Sequence, residues 1–157
     1  MALHTDGDSG FFDYREDPAN PGWYTWDLVD NTRFNGAVMG RLLTRTEGDK
    51  CRLRMIPERR HTNLQEMIHG AVTLSLIDIS LFAAMRTLGS GDAGMAVTLE
   101  LSTQFIGAGK VDKPLDAVVE LMRETGRMMF MRGMVEQEDH QVASFSGIVR
   151  KSPKRSL

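Results

Sequence analysis

The run Gly70-Ala71-Val72-Thr73-Leu74-Ser75-Leu76-Ile77-Asp78-Ile79-Ser80-Leu81-Phe82-Ala83-Ala84-Met85-Arg86-Thr87 decides the fold. No Gly or Pro interrupts its interior, and Gly89-Ser90-Gly91 follows as a stop, so one long helix is expected over residues 70 to about 87. At 100° per residue Ser75 and Asp78 fall close together on one face, with Thr73 and Ser80 nearly opposite. Everything else from Ala71 to Met85 is apolar. A helix apolar almost all round is buried rather than laid on a surface. A sheet wrapping it covers most of its circumference, and the remainder must meet another chain.

Strand patterns flank the helix on both sides. Residues 95–105 alternate, with Val97, Leu99, Leu101, Thr103 and Phe105 on one face and Thr98, Glu100, Ser102 and Gln104 on the other. Strands are expected again at 114–124, 127–136 and 141–150, separated by Gly107-Ala108-Gly109, Thr125-Gly126 and Glu138-Asp139-His140. Upstream, 37–46 and 50–56 flank Glu47-Gly48-Asp49 as a β-hairpin. Two strands, a helix and four strands, with no βαβ alternation and no repeat, give an α+β fold: one antiparallel sheet around one central helix.

The 157 residues suit one domain. Residues 1–35 are expected to form an irregular aromatic-rich arm carrying both tryptophans, 36–150 the domain proper, and 151–157 a basic tail. Nineteen Lys+Arg against twenty-one Asp+Glu leave a net charge of −2, which excludes a whole-chain basic field for nucleic acid or an anionic membrane. The single cysteine, Cys51, forms no internal disulfide and builds no zinc spacing, which fits a reducing cytoplasm. No secretory signal is visible in MALHTDGDSG. The apolar run 74–85, broken by Ser75, Asp78 and Ser80, reads as too short to span a membrane.

Asp78 is the anomaly: a carboxylate amid apolar helix either finds partners, Ser75 one turn earlier among them, or opens onto a pocket. The stretch His61-Thr62-Asn63-Leu64-Gln65-Glu66-Met67-Ile68-His69-Gly70-Ala71 places an amide, an imidazole and two small residues at the helix N-terminus. Free backbone N–H groups there suit a developing oxyanion, and Gly70 lets an acyl carbonyl come close. Taken singly, His69 also suits a loop contact and Asn63 a turn cap.

Asn63, His69-Gly70-Ala71, Asp78 nine residues after the His, and the alternating strand together resemble the hotdog-fold acyl-CoA thioesterases of the phenylacetate-pathway (PaaI-like) group. The resemblance spans residues 36–150. It implies a hotdog fold, hydrolysis of a CoA thioester to free acid and CoA, and active sites at a subunit interface. It also implies Asn63, His69, Gly70 and Asp78 as catalytic residues. Substrate-binding residues are expected at Ala71, Gln104, Phe105, Gly126, Arg127, Met128, Arg150 and Lys151, the basic ones facing the CoA phosphates, with Lys154 and Arg155 of the tail beside them. Two positions depart from the family pattern: Ala71 stands where a second Gly is usual, and Glu66 where the loop commonly has Gly.

Helix geometry adds an independent constraint. Nine residues at 1.5 Å each separate His69 and Asp78 by about 13 Å, too far for both to serve one thioester carbon. Two antiparallel copies of the helix about a two-fold axis solve this, so the expectation is a homo-oligomer, a dimer at least and up to a dimer of dimers. In this scheme the substrate carbonyl sits on the Gly70 N–H, helped by Ala71, and Asn63 orients the thioester or water. His69 supports the loop, and Asp78 of the partner acts as base or nucleophile. No metal or cofactor besides the CoA thioester substrate is expected. A non-catalytic acyl-CoA binder or sensor, and a hotdog acyl-thioester hydratase, are the competing classes.

Overall fold

The computed structural model describes residues 10–90 and 95–152. Gly91 of the helix stop, and Lys154 and Arg155 of the tail, lie outside these residues. In chain order the elements are β1 Phe12–Asp13, β2 Tyr24–Thr25, β3 Asp27–Leu28, a π-helical turn Asn35–Met39, β4 Leu42–Glu47 and β5 Lys50–Met55. A 3-10 turn Arg59–His61 follows, then α1 Gly70–Leu88, β6 Val97–Phe105, β7 Leu115–Glu124, β8 Met128–Gln137 and β9 His140–Arg150. Seven strands form one antiparallel sheet in the order β2-β4-β5-β7-β8-β9-β6, with α1 against one face.

Period-two alternation builds that face. Leu53, Met55, Leu115, Ala117, Val119, Val135, Ala143 and Val149 are sealed from solvent together with Leu76, Ile77, Leu81 and Met85 of α1. Full burial of a large aliphatic side chain is worth roughly 2 kcal/mol, so this layer dominates stability. Gly147 in mid-β9 is required for the fit: a Cβ there would stand 2.6 Å from Leu81 Cδ1.

α1 runs one residue past the expected end, and by length and composition it could cross a membrane, with a mean hydropathy of 1.5. The expectation that this run is too short therefore fails, because the helix begins four residues before Leu74. Half of its most apolar window is buried inside the domain, as in a core helix. One stripe stays outside the sheet: Ala71 and Leu74 are exposed, and Ser75, Asp78 and Phe82 are half-buried.

The hairpin differs from expectation at its first strand. Residues 35–39 are helical because Arg60 donates to the Ala37 carbonyl at 2.8 Å and His61 to the Val38 carbonyl at 2.6 Å, taking acceptors that a ladder would need. The turn is Gly48-Asp49 alone, with Gly48 at φ +61. The aromatic arm folds back on its own domain. The Arg45 and Arg54 guanidinium groups both contact the Trp23 ring, at 4.4 and 4.5 Å from its centroid, Phe12 stacks on Trp26, and β2 pairs with β4.

β6 ends the sheet. Eight of its nine residues, all but Leu99, pair with β9 on one side only, and Val97, Leu99 and Phe105 are exposed. A bulge between Thr98 and Glu100 interrupts the clean alternation of the sequence: Thr98 pairs with the fully buried Val149 and so joins Leu101, Thr103 and Phe105 on the helix-facing side.

Candidate active site

The segment before α1 is a tight loop closed by its own asparagine. Asn63 N–H donates to the Met67 carbonyl at 2.8 Å, and Asn63 Oδ1 accepts from Gln65 N–H at 2.9 Å and Met67 N–H at 3.2 Å. Its carbonyl oxygen thus does turn-capping work, while the Nδ2 amide remains as a donor. Ile68 N–H donates to the Gly109 carbonyl and His69 N–H to the His61 carbonyl, both at 2.8 Å, which fixes where α1 begins.

Glu66 sits at φ +58 within this loop, a left-handed conformation costing a side-chain-bearing residue roughly 1 kcal/mol. A Gly at this position would be free of that cost. Glu66→Gly is expected to raise stability by about 0.5–1 kcal/mol, read as a higher Tm in thermal unfolding. A lower Tm would show that the loop conformation is not strained.

His69 is the N-cap of α1, and its Nδ1 accepts the Ala71 N–H at 3.0 Å. The expected help of the Ala71 N–H in holding a carbonyl is therefore corrected: that donor is already taken by the cap. The Gly70 N–H has no acceptor among the described residues, and the residue is half-buried. The Phe105 ring packs beside Gly70, 3.5 Å from where a Cβ would stand.

Asp78 is half-exposed on the uncovered stripe of α1. Its partner is not Ser75, whose hydroxyl donates to the Ala71 carbonyl at 2.8 Å. Thr98 Oγ1 donates to Asp78 Oδ1 instead, at 2.6 Å. The sequence analysis missed Thr98, because strict alternation turns it away from the helix and only the bulge brings it round. No signal in the one-dimensional pattern marks that slip.

The two contacts label opposite ends of β6. The Phe105 ring reaches Gly70 and the Thr98 hydroxyl reaches Asp78, contacts seven residues apart on β6, while Gly70 and Asp78 themselves stand about 12 Å apart along α1. Within one protomer the structure gathers Asn63, His69, Gly70, Ala71 and Phe105 at one end. Arg150 pairs across from Val97 and Met128, and the Lys151 N–H donates to the Arg127 carbonyl, so Gly126, Arg127, Met128, Arg150 and Lys151 gather with Asp78 at the other. Arg127 and Arg150 are exposed. Lys151 is committed to Glu124 at 2.8 Å; that hydrogen bond, and one from Ser90, hold the Glu124 carboxyl below its usual range. Gln104 is set apart from Phe105, on the outer sheet face, in an open cleft with Ser102, Glu120, Arg132 and Ser144. Among the described residues no three His, Cys, Asp or Glu side chains converge as a metal site.

The sequence profile of the thioesterase superfamily matches residues 65–144, just over half the chain and all of α1 and β6. The chain belongs to the thioesterase superfamily. This thioesterase-superfamily protein has no match among curated proteins, but its fold recurs in solved structures. The PaaI protein of the Escherichia coli phenylacetic acid degradation operon is similar at 16% identity and a TM-score of 0.66, covering 77% of this chain and 86% of its own. A conserved Pseudomonas aeruginosa protein matches at 21% identity and 0.66, covering 76% and 94%. A hypothetical Streptococcus pneumoniae thioesterase with coenzyme A matches at 19% and 0.66, covering 76% and 92%. At such identities the likeness speaks for the fold, which is the PaaI-like hotdog fold expected from the element order and the motif.

Proposed function

We propose that this protein hydrolyses acyl-CoA thioesters at composite sites formed by two copies of the chain. The observation that carries the reading is the pair of contacts at the two ends of an unpaired edge strand, Thr98 to Asp78 and Phe105 to Gly70. A nine-residue edge with exposed Val97 and Leu99 and a single charge, Glu100, is a template for strand addition. Antiparallel pairing of β6 with its twin, about an axis between Leu101 and Ser102, sets Thr98 opposite the partner's Phe105. Asp78 then approaches the partner's Gly70, and the uncovered helix stripes meet across the same axis.

In that site the thioester carbonyl accepts from the Gly70 N–H at the positive end of α1, where charge developing on oxygen is stabilised. Asn63 Nδ2 donates to the thioester or to water, and His69 holds the helix start. Asp78 of the partner removes a proton from water or attacks the carbonyl carbon. Thr98 occupies Oδ1, leaving Oδ2 for the reaction. Arg127 and Arg150, at the Asp78 end, are placed to meet CoA phosphates. The Streptococcus pneumoniae relative solved with coenzyme A supports this ligand class. The engaged Ala71 N–H leaves one free backbone donor for the oxyanion at the helix start, the observation that favours the second reading, a binder of acyl-CoA with little turnover.

Thiol release from a panel of aryl- and alkyl-CoA esters tests the proposal; binding of the esters with no thiol release from any of them supports the binder instead. Thr98→Val should lower kcat roughly tenfold with KM little changed, the scale of one hydrogen bond to a charged group, and Thr98→Ser should restore it. An unchanged kcat in Thr98→Val would remove Thr98 from the site.

A further inference from the structure

His61 opens the loop that carries Asn63 and His69, yet it is 1% exposed and touches no substrate in the proposed site. Both of its ring nitrogens are used. Nδ1 accepts the Glu58 N–H at 2.9 Å, and Nε2 bonds the Val38 carbonyl at 2.6 Å. A carbonyl only accepts, so the proton is on Nε2 and the ring is a neutral imidazole in one tautomer. Its backbone is used as well: the N–H donates to the Glu58 carbonyl at 2.9 Å, and the carbonyl accepts the His69 N–H at 2.8 Å. One buried residue thus ties three segments: the π-helical turn Asn35–Met39, the 3-10 turn, and the residue immediately before Gly70.

We infer that His61 is a positioning residue, coupling the Asn35–Met39 turn to the carbonyl-binding N–H of Gly70. The inference rests on the thioesterase reading of Gly70. Phe34 beside that turn and Val38 within it are exposed apolar side chains, 53% and 40% accessible. The residue therefore sets where the Asn35–Met39 turn stands relative to His69 and the Gly70 donor that follows it. Reacting groups are sensitive to displacements of about 1 Å, so a slack joint at this point is felt in turnover.

Two substitutions separate the two ring bonds. In His61→Asn the shorter side chain keeps an acceptor near the Nδ1 position for Glu58 N–H but falls short of Val38. In His61→Gln the side-chain amide reaches the Val38 carbonyl and the Glu58 N–H loses its acceptor. The coupling predicts a kcat lowered roughly tenfold in His61→Asn with KM changed much less, and most of kcat retained in His61→Gln, though both lose thermal stability. It also predicts His69 amide hydrogen exchange roughly tenfold faster in His61→Asn than in the parent. A purely structural residue lowers the Tm of both and leaves kcat per folded molecule and His69 exchange unchanged, and that result overturns the inference. If His61→Asn does not fold, Arg60→Ala removes the neighbouring tie to the Ala37 carbonyl from an exposed side chain. It should slow turnover and speed His69 exchange several-fold, and no change in either overturns the inference. A parent protein that releases no thiol rejects the thioesterase reading, and His69 exchange still decides the role of His61.

Discussion

Asp78→Asn protein is expected to fold and to release thiol from CoA esters at least about a hundredfold more slowly than the parent, the lower range for loss of a positioned acid/base group. The substitution is nearly isosteric. It keeps an acceptor for Thr98 Oγ1, 2.6 Å away in the parent, so packing and the local hydrogen bond survive while the basic or nucleophilic oxygen is lost. Asp78 is half-exposed rather than sealed in the core, which makes a large stability effect from the change unnecessary to the explanation. Unchanged turnover in well-folded Asp78→Asn would reject the role assigned to this carboxylate. A parent protein that remains monomeric while active would reject its reach across the two-fold axis.

Gly70→Pro is expected to lower kcat by about a hundred- to a thousandfold, the range for removing one oxyanion donor, while leaving α1 intact. Gly70 is the first residue of the helix, the position where proline is best tolerated and where its missing N–H breaks no helical bond. His69 before it already has φ −63 and ψ 137, the extended region that a following proline favours. A side chain at Gly70 meets Phe105 at ordinary contact distance. The substitution therefore deletes one hydrogen atom's function with little else disturbed, and circular dichroism with thermal unfolding checks that condition. Wild-type kcat in folded Gly70→Pro would place the carbonyl elsewhere.

The two variants together test the interface. In a heterodimer of Asp78→Asn with Gly70→Pro, one composite site combines the intact acid of one chain with the intact loop of the other, and the second site carries both lesions. Random mixing makes half of the dimers mixed, so unfolding and refolding the inactive proteins together should recover about a quarter of parental activity. No recovery would mean that acid and donor act within one chain, against their separation of about 12 Å along α1.

The linear sequence determined the helix, the antiparallel class and the separation of acid from oxyanion donor, because each is a matter of local periodicity: 3.6 residues per turn, two per strand repeat, 1.5 Å of rise. The motif Asn63, His69-Gly70 and Asp78 was legible for the same reason, since it lies on one loop and one helix. What depended on non-local hydrogen bonds was not. The bulge that turns Thr98 toward Asp78 is a property of the β6–β9 pairing. The π-helical turn at 35–39 exists because Arg60 and His61 take the carbonyls that a strand would have used. The Ala71 N–H is lost to the His69 ring, which only the cap rotamer decides. Lys151 likewise goes to Glu124, brought near by the β7–β8 and β8–β9 registers together. Periodicity assigns a residue to an element and a face, but which polar atom finds which partner is set where segments distant in sequence are packed together, and the chemistry of this site resides in those partners.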